Sequence, residues 1–101
     1  MHARMTTLDV SPDRLDDAIR QLEQEDVPRF RQQQGFKGFT LLVDRQGGTC
    51  VGTTYWESED DLRASEEVGR EARERAAQSG GAAGEPSVGP FEVAIDTMEQ
   101  R

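Results

Sequence analysis

The residue pattern predicts an α+β domain with elements in the order strand, helix, strand, strand, helix, strand. Three observations point there. Residues 2–10, 36–44, 49–57 and 91–96 are short runs rich in apolar and β-branched side chains that read as strands. The stretches before and after the central pair carry apolar residues at helical spacing. The central pair is joined only by Arg45-Gln46-Gly47-Gly48, whose glycines can take positive φ, so those strands form a hairpin.

Residues 2–10 alternate and contain two threonines, as a first strand should. Ser11-Pro12-Asp13 then starts a helix: Ser11 can cap it, Pro12 sits where a missing N–H does no harm, and Asp13 meets the positive helix end. Leu15, Ala18, Ile19 and Leu22 make its narrow apolar stripe. Pro28 should kink or end it near Val27, with a further turn up to Gln33, and Gly35 closes the segment. After the hairpin, Ser58-Glu59-Asp60-Asp61 approximates a capping box at the start of the second helix. Glu59 with Arg63, Glu66 with Arg70 and Glu71 with Arg75 are favourable pairs at four-residue spacing. Leu62, Val68, Ala72 and Ala76 form its thin apolar face, and residues 79–84 end it in a glycine-rich loop. Beyond Pro90, Phe91, Val93 and Ile95 share one face of the last strand.

This order is the ferredoxin-like, split βαβ arrangement of a four-stranded antiparallel sheet with both helices on one face. If Asp44 faces Thr49, then Phe39, Leu41 and Val43 share the helix-covered face with Cys50, Thr54 and Trp56. Phe36, Thr40, Leu42, Val51, Thr53 and Tyr55 fall on the other face, which is too apolar for open water. Its simplest cover is the same face of a second copy, so the expectation is a homodimer.

Size and composition agree. The 101 residues suit one domain over residues 1–101, and a 34% hydrophobic fraction is low for a chain that must bury a core alone. The net charge of −8 argues against nucleic acid and anionic membrane surfaces. No apolar run is long enough to span a bilayer, and the first residues lack a signal-type core. Cys50, the only cysteine, suits a reducing compartment, so a cytoplasmic protein is expected.

Several residues invite a chemical role. His2 can act as a base near neutral pH, but it lies in the first residues, where order is often poor. Cys50 has no neighbouring histidine and no CxxC motif, which favours a structural thiol. The acidic pairs Asp16-Asp17 and Glu59-Asp60-Asp61 diverge around a helix, so capping and solvation explain them and no metal site is expected. The paired glycines lack the Lys-Ser/Thr of a phosphate loop.

Gly35-Phe36-Lys37-Gly38, the Gly47-Gly48 turn, Thr54-Tyr55-Trp56-Glu57-Ser58 and Ala64-Ser65 together resemble the antibiotic-biosynthesis-monooxygenase-like superfamily. With the element order, the resemblance covers nearly the whole chain. It implies a dimeric α+β barrel of two face-to-face sheets, and activities that include cofactor-independent oxidation of polycyclic aromatics, quinol oxidation and haem degradation. The haem-degrading members use a histidine on the second helix and an asparagine; here the only histidine is His2 and there is no asparagine, so no haem cofactor is expected. The resemblance implies an apolar, aromatic or quinone-like small-molecule ligand between sheet and helices. Trp56 and Phe39 are the candidates to bind it, and Tyr55 the candidate proton donor. Each also has a plainer reading: Trp56 as a core residue at a strand end, Tyr55 as an interface residue with a wet hydroxyl.

Overall fold

β-Branched and aromatic residues line up across the sheet wherever the chain reverses, and the turns set which face each one meets. The structure, a computed structural model, describes residues 1–98. Its strands are β1 (His2–Asp9), β2 (Phe36–Val43), β3 (Thr49–Trp56) and β4 (Ser87–Glu92), in sheet order β2-β3-β1-β4. Every pairing is antiparallel. The architecture is ferredoxin-like, with the helices on one face of the sheet.

The hairpin has the expected register: Val43 pairs with Cys50, and the Asp44 N–H donates to the Thr49 carbonyl at 2.8 Å. Gly48 makes the turn possible, since its φ is +83° and a Cβ there would stand 2.0 Å from the Val10 carbonyl oxygen. One irregularity changes a face assignment. The β2 register slips between Phe36 and Gly38, so Lys37 is a bulge. Phe36 therefore turns to the helix side rather than the open face, 5.5 Å edge-on from Trp56 and 6.3 Å from Phe30.

The first helical segment departs from expectation at Ser11, whereas at Pro28, where a kink or an end with a further turn was expected, an irregular turn is followed by that further turn. Ser11 makes no side-chain cap bond to the backbone; its hydroxyl donates to the Asp13 carboxylate, and a 3-10 turn (Pro12–Arg14) leads into α1 (Leu15–Gln21). Pro28 does not end the helix. A π-helical turn (Leu22–Asp26) precedes it, with the Val27 N–H reaching the Leu22 carbonyl, and α2 (Val27–Arg31) continues. The wide turn absorbs the donor that Pro28 lacks. It also carries Asp26 to 0% exposure, where Oδ1 accepts from Arg75 Nε at 3.1 Å. Burial pushes the Asp26 carboxyl up to about 6; Arg29 opposes this, and Glu25 and Glu71 add to it.

The second helix is two. Ser58 caps α3 (Glu59–Ala64), its hydroxyl accepting from the Asp61 N–H at 3.1 Å, as the capping-box pattern suggested. The helix breaks at Ser65 and restarts as α4 (Glu66–Gly80), closed by Gly81 at φ +62°. The Glu59–Arg63 pair forms at 3.0 Å, but Glu66 pairs with Arg4 and Arg73, while Glu71 pairs with Arg29 and Arg75 with Asp26. Arg4, Arg29 and Asp26, on neighbouring elements and held by packing, take the place of the partners four residues away; Arg73 meets Glu66 from two turns along the same helix. The buried face of the second helical layer runs through Ser65, Gly69, Ala72, Ala76 and Gly80; Val68 is only half-buried.

The last strand comes earlier than expected. It covers Ser87–Glu92, and Val93 and Ile95 lie beyond it. Pro90 is tolerated inside because β4 is an edge strand with β1 as its one neighbour. The core, Leu8, Val10, Leu15, Cys50 and Ala76, lies between sheet and helices. The other face stays open, with Leu42 66% exposed and Phe91 52%.

Two outcomes follow. Gly48→Ala should lower stability by at least about 1–2 kcal/mol in denaturant unfolding. Gly38→Ala, where a Cβ meets nothing within 4 Å, should change it far less. Because the folded-state pKa of Asp26 is raised, its contribution is present at low pH and lost as pH rises through about 6. The melting temperature of Asp26→Asn minus that of wild type should therefore grow from pH 5 to pH 7.5. A constant difference would assign the titration elsewhere.

Candidate functional site

Small residues on one helix face leave room above a sheet. Gly69, Ala72 and Ala76 of α4 stand over Arg4, Thr6 and Leu8 of β1, Cys50, Gly52 and Thr54 of β3, and Phe39 and Leu41 of β2. Leu22 and Phe30 of the first helical segment close one side. Between these layers is a cavity of about 70 Å³. Its walls are largely apolar, and Phe30 and Phe39 meet with ring centroids 5.6 Å apart.

One end is cationic. Arg4 points to the helix side of β1 and is 5% exposed. Its Nη1 donates to Ser65 Oγ at 3.0 Å and its Nη2 to the Leu62 carbonyl at 2.7 Å. Ser65 Oγ also donates to that carbonyl at 2.7 Å. The helix break is thus stitched by a side chain from β1. Glu66 bridges two guanidiniums: Oε2 lies 3.1 Å from Arg4 Nη2, and Oε1 lies 2.7 Å from Arg73 Nη2. Burial pulls the Arg4 guanidinium below its ordinary value; Glu66 works against this and Arg73 with it. Arg73 Nη1 is buried with no hydrogen-bond partner among the described residues. A Cβ on Gly69 would stand 2.9 Å from Arg4 Nη1 and 3.3 Å from Arg73 Nη1, so this glycine is what lets the two groups converge.

Cys50 lines the cavity as a buried thiol. Burial, and secondarily Asp9, pushes its pKa up, so it is a neutral group at physiological pH.

Of the residues singled out from the sequence, Phe39 lines the cavity. Trp56 stands behind the wall at 1% exposure, and its indole N–H donates to Thr54 Oγ1 at 2.9 Å. It reaches the cavity only through Thr54. Tyr55 has the opposite strand parity, pairing with Ala3 and Gly38, and belongs to the open sheet face. The structure thus does not bring Tyr55 together with Phe39. His2 pairs with Trp56 and Glu92 across the sheet.

Sequence reasoning passed over Arg4, Gly69 and Arg73. A signal existed: Leu8, Thr6 and Arg4 share one parity of β1, so an arginine occupies an inward position. The recurrence of Ser65, Gly69, Ala72, Ala76 and Gly80 likewise marks a helix face too small to fill the space beneath it.

The fold recurs among known proteins. The family model described as antibiotic biosynthesis monooxygenase matches residues 1–68. The uncharacterized protein Rv2557 of Mycobacterium tuberculosis (strain ATCC 25618 / H37Rv) is 34% identical over all of this chain and 44% of its own length. The chain therefore spans under half of that curated relative. The monooxygenase from the gene ActVA-Orf6 of Streptomyces coelicolor, in complex with nanaomycin D, superposes with a TM-score of 0.77 at 19% identity, covering 98% of this chain and 92% of that one. The haem-degrader MhuD of Mycobacterium tuberculosis, with two haems bound in its active site, superposes with a TM-score of 0.70 at 20% identity, over 97% of this chain and 100% of that one. At such identities the structural likeness speaks for the fold. Together with the sequence match and the sheet order, it establishes that this chain belongs to the antibiotic biosynthesis monooxygenase family.

Proposed function

We propose that this protein is a homodimer that binds an aromatic or quinone-like molecule in the cavity beneath α4 and oxidises it with dioxygen, without a cofactor. The observation that carries the reading is the apolar cavity itself, roofed by Gly69, Ala72 and Ala76 and walled by Phe30 and Phe39. In such an oxidation a ring carbon loses a proton and its anion passes electrons to dioxygen. A carbon–oxygen bond forms and the peroxide takes up the proton; the same carbon then gives up its second hydrogen as a proton while the O–O bond breaks, leaving a carbonyl and one water. The protein's part is to hold the ring, exclude solvent and favour the anion. Phe39 would face the ring, and Trp56 would position Thr54 behind it. The only histidine, His2, lies on β1 rather than on α3 or α4, which speaks against haem chemistry.

Size constrains the ligand. A dry cavity of about 150 Å³ accepts benzene. Here the volume is about 70 Å³, so ring entry displaces the half-buried side chains of Leu22, Phe39 and Leu41.

The dimer is supported by the open sheet face. Met5, Thr7, Thr40, Leu42, Val51, Thr53 and Tyr55 lie there without a helix over them. A second copy laid sheet to sheet would form a dimeric barrel and seat Tyr55, the candidate proton donor, in the interface. The free thiol of Cys50 suits the cytoplasm.

A second reading, a non-catalytic ligand-binding dimer, is favoured by one observation. The titratable groups lining the cavity are Arg4, Arg73 and Cys50, and none of these is a proton acceptor at neutral pH.

Oxygen-electrode measurements with naphthacenone- or quinol-type substrates should show one dioxygen consumed per substrate, with a slower rate for Trp56→Phe. If neither protein turns over, the oxygenase reading fails; thermal stabilisation without conversion then assigns a binding role. Sedimentation at micromolar concentration should give twice the mass of one chain, and Leu42→Asp should reduce it to one. A folded single subunit for the wild type would remove the barrel.

A further inference from the structure

We infer that the ligand of this cavity carries a planar oxyanion, either a carboxylate or an ionised ring hydroxyl, seated against Arg73 and Arg4; this rests on the reading of the cavity as a ligand site. The chain as a whole is acidic, with a net charge of −8, yet the polar end of its cavity is cationic. Arg4 is fastened at both nitrogens to the helix break, so it is a fixed charge. Glu66 already bridges both guanidiniums with its two oxygens, and it offers Arg73 Nη2 rather than Nη1 a partner. One carboxylate between two guanidiniums leaves a positive charge unbalanced.

The unpartnered donor is Arg73 Nη1, buried beside Gly69 where the Arg4 Nη1 also arrives. A charged donor buried without an acceptor is unfavourable, and native structures rarely keep one without a use. A flat anion meets the need, because guanidinium N–H groups in a plane match the two oxygens of a carboxylate or the single oxygen of a phenolate. No carboxylate lines the cavity to repel it, and the remaining polar groups, Thr6, Thr54 and the neutral Cys50 thiol, carry no charge. The ring attached to the anion would lie toward Phe30 and Phe39. Since even one ring enters the volume of about 70 Å³ only by displacing Leu22, Phe39 and Leu41, a single-ring probe asks for the least movement.

Calorimetric titration of the full chain with benzoate and benzamide, and absorbance titration with 4-nitrophenol, would test this. Benzoate should bind about 10-fold or more tightly than its neutral isostere benzamide. Bound 4-nitrophenol should take its yellow, ionised form at a pH where the free compound is colourless. The tighter of benzoate and 4-nitrophenolate identifies the source of the oxyanion. Arg73→Gln should erase the preference for benzoate, weakening benzoate far more than benzamide. Glu66→Gln should raise benzoate affinity several-fold, an effect that a merely structural Glu66 would not produce. Equal binding of benzoate and benzamide overturns the inference but leaves the cavity a ligand site. A preference that survives Arg73→Gln places the anion elsewhere and also overturns it. Failure of all three probes to bind overturns the inference and the cavity reading together. Should Arg73→Gln not fold, Glu66→Gln decides alone, and unchanged or weaker benzoate binding is the contrary result.

Discussion

A single guanidinium drawn off the sheet determines how the two layers of this protein meet. Arg4 leaves the inward face of β1 and ends on the Leu62 carbonyl and Ser65 Oγ, where the second helix breaks. Breaking a helix exposes carbonyls that need donors, and burying an arginine requires acceptors; each defect satisfies the other. Beyond the break the smallest residues of α4 face the sheet, and beside the packed core they leave a cavity. Glu66 and Arg73 then extend the charge from the junction to the cavity wall. Helix break, cavity wall and local charge thus meet at one inward side chain.

The element order, the hairpin and its register were legible because they depend on local chemistry: strand-forming runs, a glycine turn and a serine cap. What escaped were the places where tertiary contacts decide. The bulge at Lys37 moves Phe36 to join Phe30 and Trp56, an aromatic cluster that no period-two count can place. The π-helical turn before Pro28 carries Asp26 to Arg75 on α4, 49 residues away in sequence, a contact that no local pattern reveals. Glu66 and Glu71 had arginines four residues on and paired instead with Arg4 and Arg29 on other elements, Glu66 also with Arg73 two turns along its own helix. For the same reason the site was only partly visible. Phe39 was foreseen as an inward aromatic, whereas Arg4, Gly69 and Arg73 form a unit only when β1 and α4 are stacked.

The open sheet face and the cavity are coupled through the strands they share. Along β3, Thr54 and Trp56 face the helices while Val51, Thr53 and Tyr55 face outward. A partner laid on the outer face would stiffen the same strand that forms the cavity floor. Assembly and ligand binding would then bear on one element from its two sides. The cationic end of the cavity is formed by Arg4 of β1 and Arg73 of α4.

The burial of Trp56 has a practical consequence. This chain has one tryptophan, and it sits at 1% exposure with Phe36 edge-on and its indole nitrogen committed to Thr54. Its emission comes from one environment, adjoining the cavity floor and the bulged end of β2. The molecule thus carries its own optical gauge, undiluted by other indoles, of whether the sheet–helix interface is intact.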